Sequence, residues 1–136
     1  MITNKDLMVR IQPDGINIVL MEFLCCRLND GRMLRGTIGS TSDGMSGGKL
    51  IKAVLQDKHT FLEAVFHDCC FRNTIEESKD LGKTWAAYSP TFEESNDWLK
   101  ENILSAGGSE VESQIIWLGV SGPEGRKAFN QDRGLD

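Results

Sequence analysis

At 136 residues the chain is expected to form a single domain, long enough to bury about two-thirds of its surface without disulfide or metal staples. Its 40% hydrophobic and 26% charged content is ordinary for a globular protein, and a net charge of −5 argues against nucleic acid or an anionic membrane as the dominant partner. Met1-Ile2-Thr3-Asn4-Lys5-Asp6 lacks the basic and apolar regions of a secretion signal, and no apolar run reaches bilayer length. The expectation is therefore a protein without a transmembrane segment that stays in the cytoplasm where it is made.

Met8–Ile11 reads as a short strand, followed by the turn former Pro13-Asp14-Gly15. Residues 16–28 alternate, with Val19, Met21, Phe23 and Cys25 on one face and Ile16, Ile18, Leu20 and Leu24 on the other. Glu22 and Cys26 share that second face, and the whole predicts one largely buried strand. Asn29-Asp30-Gly31 predicts a hairpin turn, with Arg32–Ile38 as the return strand. The four cysteines form two vicinal pairs, Cys25-Cys26 and Cys69-Cys70, without the Cys-x-x-Cys spacing of zinc sites. One member of each pair in the core is the main expectation, and a four-cysteine metal site is the minor one.

Residues 39–48 are all turn formers except Met45, and four of them are glycine. Such a loop can approach a ligand closely. It lies between the sheet and the helices, where binding loops are carried. Lys49–Leu55 predicts a short helix. A second helix over residues 59–73 has Phe61, Leu62, Val65, Phe66 and Cys69 as its apolar stripe, with His67-Asp68 beside it. Glu63, four residues before His67, is placed to be its local partner.

Residues 72–88 are polar, contain Gly82, and read as loop pinned by Trp85 and Tyr88. The next helix opens at Ser89-Pro90 or at the capping box Thr91-Phe92-Glu93-Glu94. Its inward face carries Phe92, Ser95, Asn96, Leu99, Ile103 and Ala106, which leaves Asp97, Glu101 and Leu104 outward. Gly107-Gly108 ends it. Ser109 with Glu112 opens a last helix carried by Val111, Ile115, Ile116 and Leu118, and residues 121–136 read as a tail. The expected fold is α+β: an N-terminal antiparallel hairpin or small sheet over 1–38, a glycine-rich loop over 39–48, then three to four helices over 49–120.

Three segments carry a family resemblance: Ser42-Asp43-Gly44-Met45-Ser46, then Ala64-Val65-Phe66-His67-Asp68-x-x-Phe71, then Asn96-x-x-Leu99-x-x-x-Ile103-x-x-x-Gly107. Together they resemble an uncharacterised family of small bacteriophage proteins, over about residues 36–122. The family pattern is Thr-Asp-Gly-Ala-Ser in a loop, Ala-x-x-His-Asp-x-x-Tyr, and Ala-Asp-x-x-Phe-x-x-x-Leu-x-x-x-Gly. The same elements resemble a reduced phospholipase A2 site, with a glycine-rich calcium loop, a His-Asp helix and an orienting Asp on the next helix.

The resemblance implies His67 as the general base that activates water and Asp68 as a calcium ligand. Asp43 and the carbonyls of the Gly44–Gly48 loop, Gly44 and Gly47 among them, would join that cage. It implies a lipid or other ester as substrate. Two positions depart from the pattern: Phe71 stands where the family has Tyr, and Asn96 stands at the orienting position. Asn holds an imidazole but does not stabilise an imidazolium as a carboxylate does, so Glu63 or Asp43 would have to supply that charge. A second enzyme reading takes Gly44-Met45-Ser46-Gly47-Gly48 as a nucleophile elbow, with Ser46 attacking and His67 as base. A third reading is a phage accessory or virion protein that acts by contact with a phage or host protein, in the host cytoplasm or on the virion.

Overall fold

A computed structural model describes residues 1–14, 17–43 and 61–135. The helix expected over Lys49–Leu55, and Gly44, Ser46 and Gly47 of the loop, lie outside the described residues. Among the described residues seven strands and four helices follow in order: β1 Val9–Ile11, β2 Ile18–Leu20, β3 Leu24–Arg27, β4 Met33–Gly36, β5 Thr41–Ser42, α1 Phe61–Phe71, β6 Ile75–Ser78, β7 Ala86–Tyr88, α2 Phe92–Ser105, α3 Glu110–Ser121 and α4 Pro123–Arg133. The fold is α+β, with one sheet ordered β1-β2-β5 and another ordered β3-β4-β6-β7. Among the described residues, no helix is long and apolar enough to cross a membrane.

The hairpin forms where the turn residues place it. β3 pairs antiparallel with β4, Arg27 opposite Met33, and Gly31 adopts φ 92° in the turn. The single strand expected over residues 16–28 is instead broken at Met21-Glu22-Phe23, so that β2 and β3 belong to different sheets. Polar groups from the N-terminal segment cause the break. Glu22 accepts from the Met8 amide at 2.6 Å. The Asn4 side chain donates to the Phe23 carbonyl at 2.6 Å and accepts from the Cys25 amide at 2.8 Å. Those groups therefore cannot continue the ladder of β2.

Residues 72–88, expected as loop, hold the β6–β7 hairpin. β6 pairs with β4 through register Arg35 to Glu76 and Leu34 to Glu77, and the Arg35–Glu76 ion pair at 2.8 Å locks that register. The hydrophobic signal for β6 is weak because only Ile75 and Ser78 turn fully inward. In the connecting turn Asp80 accepts from the Thr84 hydroxyl and amide and from Ser78. These donors, Thr84 first, hold its carboxyl down at about 2.

α1 is the axis of the molecule, with every residue from Glu63 to Phe71 buried. One side, with Val65, Phe66, Cys69 and Cys70, packs on Leu24, Leu34 and Ile75 of the larger sheet. A second side presents Ala64 to Leu99, Ile103, Ile116 and Val120 of α2 and α3. Its C-terminal end places Phe71 against Phe92 and Phe129. Both Cys69 and Cys70 are buried rather than one of the pair, whereas of the first pair only Cys26 is. Burial pushes the Cys69 thiol up to about 11.

α2 starts at the capping box: Thr91 accepts from the Glu94 amide, and Glu94 accepts from the Thr91 amide. α3 opens at the Ser109 cap, as expected. Ser113, Ile116 and Val120 face inward, while Val111 and Leu118 are exposed. The expected tail is helix α4, which the pattern hides because Phe129 is its one buried residue.

Candidate functional site

His67 sits in the middle of α1, 2% exposed. Its Nε2 lies 2.8 Å from Oδ1 of Asn96 on α2. The Asn96 amide nitrogen donates to the Val120 carbonyl at 3.2 Å, in the last turn of α3. That bond fixes the amide with its oxygen toward the imidazole. An oxygen accepts, so Nε2 carries the proton and donates, and Nδ1 keeps its lone pair. Burial pulls the imidazole down to about 4, with the Asn96 bond working the other way, so the ring is neutral near pH 7. The Phe71 ring stands against it at 4.2 Å between centroids. Asn96 therefore occupies the inward position its register predicts. Asp97 faces out and accepts from the Trp117 indole at 2.9 Å.

Asp68, also 2% exposed, accepts from the Ser42 hydroxyl at 2.5 Å. One turn on, Arg72 donates to the Thr41 carbonyl at 2.6 Å and to its hydroxyl at 3.0 Å. β5 is thereby fastened to α1 immediately before Asp43, the point from which the glycine-rich loop departs. Ser42 opens the first segment of the resemblance, whereas an Arg after a helix carries no sequence signal of its own.

Glu63 is not the partner of His67. Its Oε1 pairs with Lys5 at 3.1 Å, and its Oε2 is buried without a hydrogen bond. The four-residue spacing puts Glu63 on the right side of the helix, but the N-terminal segment brings an ammonium to it first. The Ser46 nucleophile and the carbonyls of Gly44 and Gly47 lie outside the described residues. Calcium takes roughly six to eight oxygen ligands. Among the described residues no group of three or more His, Cys, Asp or Glu side chains could hold a metal ion. The described residues do not form the four-cysteine site.

The C-terminal helix closes the back of the site, which the sequence reading missed. Phe129 meets Phe71 edge-on at 5.3 Å. Arg133 donates to the Phe71 carbonyl at 2.8 Å, to the Cys70 carbonyl at 2.7 Å and to the Pro90 carbonyl at 2.6 Å. It thus adds side-chain donors at the end of α1, where the Cys70 carbonyl also accepts from the Asn73 amide at 3.3 Å. The carboxyl of Asp132 is raised, chiefly by lost hydration, with Arg72 opposing and Asp43 adding to the shift.

No family model matches the chain, and no curated protein or solved structure matches it either.

Proposed function

We propose that the chain is a hydrolase in which Nδ1 of His67 takes a proton from an attacking water. The substrate is an ester, with lipid esters the class implied by the phage and phospholipase A2 resemblance. The observation that supports this reading is the relay from His67 through Asn96 to the Val120 carbonyl. It holds the imidazole in one tautomer, with the lone pair on the nitrogen that Asn96 does not touch. A general base needs that lone pair and that fixed orientation. Because Asn96 is uncharged, the imidazolium formed in the step gains little stabilisation, so turnover is slow. Calcium belongs to this proposal through Asp68.

A second reading has its own observation. His67 and Asp68 are 2% exposed and Asn96 1%, as in a satisfied polar cluster that clamps α1, α2 and β5 together. The protein then acts by contact, as a phage accessory or virion component.

Hydrolysis of chromogenic esters and of phospholipid vesicles, with calcium and with a chelator, separates the two. Under the hydrolase reading the chain cleaves at least one ester class. His67→Gln, which still bonds Asn96 but is no base, loses about a hundredfold in rate. Asp68→Asn removes any calcium response. If no ester is cleaved, or His67→Gln cleaves as fast as the parent, the hydrolase reading is wrong and the clamp stands.

A further inference from the structure

Gly125 stands in the first turn of α4, which Pro123 opens. Its backbone is helical, a conformation that favours alanine over glycine, so conformation does not call for a glycine here. Space does. A Cβ at position 125 would fall 1.8 Å from the Val120 carbonyl oxygen and 2.5 Å from the carbonyl carbon. The obstacle is main chain, which cannot swing aside as the end of a side chain can. Gly122, between the two helices, has an extended backbone with φ −80° and ψ −172°. It turns the chain so that the first turn of α4 lies against the last turn of α3.

That same carbonyl accepts from Asn96 Nδ2 at 3.2 Å, and Asn96 Oδ1 lies 2.8 Å from Nε2 of His67. A side-chain amide has nearly the same shape when turned end for end. Reversed, it would present Nδ2 to the ring, which would then accept at Nε2 and carry its proton on Nδ1. The Val120 oxygen can only accept, so it admits one orientation. Asn96 and Val120 are both buried, so bulk water does not take the place of this bond.

We propose that Gly125 is a positioning residue for His67. Having no side chain, it lets the corner between α3 and α4 aim the Val120 carbonyl at Asn96, and so sets the tautomer of an imidazole on α1. A methyl at position 125 pushes the carbonyl off that line, the Asn96 amide loses its anchor, and both tautomers become populated. The catalytic consequence rests on the hydrolase reading, in which Nδ1 is the base; the tautomer itself does not.

Long-range proton–nitrogen correlation spectra of the isotope-labelled chain at pH 7.5 separate the two neutral tautomers, and the spectrum of His67→Gln identifies the His67 signals. The parent is expected to show His67 protonated at Nε2 alone. Gly125→Ala is expected to move roughly half of His67 or more to the Nδ1-protonated form. Gly122→Ala is the control. Its Cβ would come no nearer to a carbonyl than 3.5 Å, at Leu118, so it alters the same corner without reaching Val120 and keeps the parent tautomer. If the chain cleaves an ester, Gly125→Ala lowers kcat in proportion to the Nε2-protonated share that is lost and leaves KM unchanged. A chain that cleaves none sinks the hydrolase reading, while the spectra still decide the role of Gly125. A folded Gly125→Ala chain with His67 wholly protonated at Nε2 overturns the proposal. So does a Gly122→Ala chain with the same tautomer change, which would assign the effect to the corner as a whole. A Gly125→Ala chain without the parent's far-ultraviolet circular dichroism makes the glycine a requirement of the fold and overturns it too. A parent with His67 protonated at Nδ1 does so before any variant is made.

Discussion

An imidazole in an unfolded chain takes a proton near pH 6.5, whereas folded His67 resists until about pH 4, because burial removes the water that would solvate its cation. Between those values the unfolded chain binds a proton that the folded chain does not. His67 therefore costs nothing above pH 6.5, and its penalty grows as the pH falls through that interval toward 4. At 1.36 kcal/mol per pH unit the interval amounts to about 3 kcal/mol. Thermal melts at pH 7.5 and pH 4.5 are expected to show a large acid loss in the parent. His67→Gln, which has no proton to gain, shows a smaller one. Equal acid losses in the two proteins would place the acid sensitivity elsewhere. The His67–Asn96 pair was legible in the sequence, because Asn96 shares a helical register with Leu99 and Ile103. The Glu63–Lys5 pair was not, since the two residues meet only after the N-terminal segment folds across α1, and local spacing carries no information about that.

Between elements, one close restriction lies where β4 meets α1. A Cβ on Gly36 would lie 2.9 Å from the Cys69 sulfur and 3.4 Å from its Cβ, so strand and helix approach as closely as they do only because position 36 has no side chain. Gly36→Ala is expected to cost about 1 to 3 kcal/mol through overpacking. Cys69→Ala removes the sulfur and leaves a contact of ordinary closeness, so the double variant Gly36→Ala/Cys69→Ala should be less destabilised than the two single changes added together. Urea unfolding of the four proteins measures that coupling, and strict additivity would mean the strand simply moves away. The sequence made visible the elements with strong local chemistry. Asn29-Asp30-Gly31 placed the β3–β4 hairpin, and Thr91 with Glu94 placed the start of α2. It concealed elements whose signal is tertiary. β6 carries two glutamates because both pair with arginines of the β3–β4 hairpin, Glu76 with Arg35 and Glu77 with Arg32. Of the four apolar residues that mark α3 in the sequence, Ile116 is buried whereas Val111 and Leu118 are exposed, because apolar character alone does not say which face of a helix packs.

Across the whole molecule, the last helix joins parts of the chain that are distant in sequence. Arg133 reaches the carbonyls of Cys70 and Phe71 at the end of α1 and of Pro90 just before α2, while Phe129 fills the space between Phe71 and Phe92. His67 rests on the other side of Phe71. Support for the His67 ring therefore runs through residues that read as a tail, since one buried phenylalanine in a charged segment makes no periodic pattern. Phe129→Ala is expected to cost about 3 to 5 kcal/mol, the usual penalty for emptying a buried phenylalanine site. Arg133→Lys keeps the charge but loses the planar fork that serves several carbonyls at once, and is expected to cost about 1 to 3 kcal/mol. The loss should not be uniform. Amide hydrogen exchange is expected to accelerate most for the last turn of α1 and the first turn of α2. Amides of the β3–β4 hairpin, which belong to the other cluster, should change least. If Phe129→Ala instead raised exchange equally in the hairpin and in α1, the aromatic cluster and the sheet core would form one cooperative unit. The C-terminal helix would then stabilise the fold as a whole rather than the region around His67.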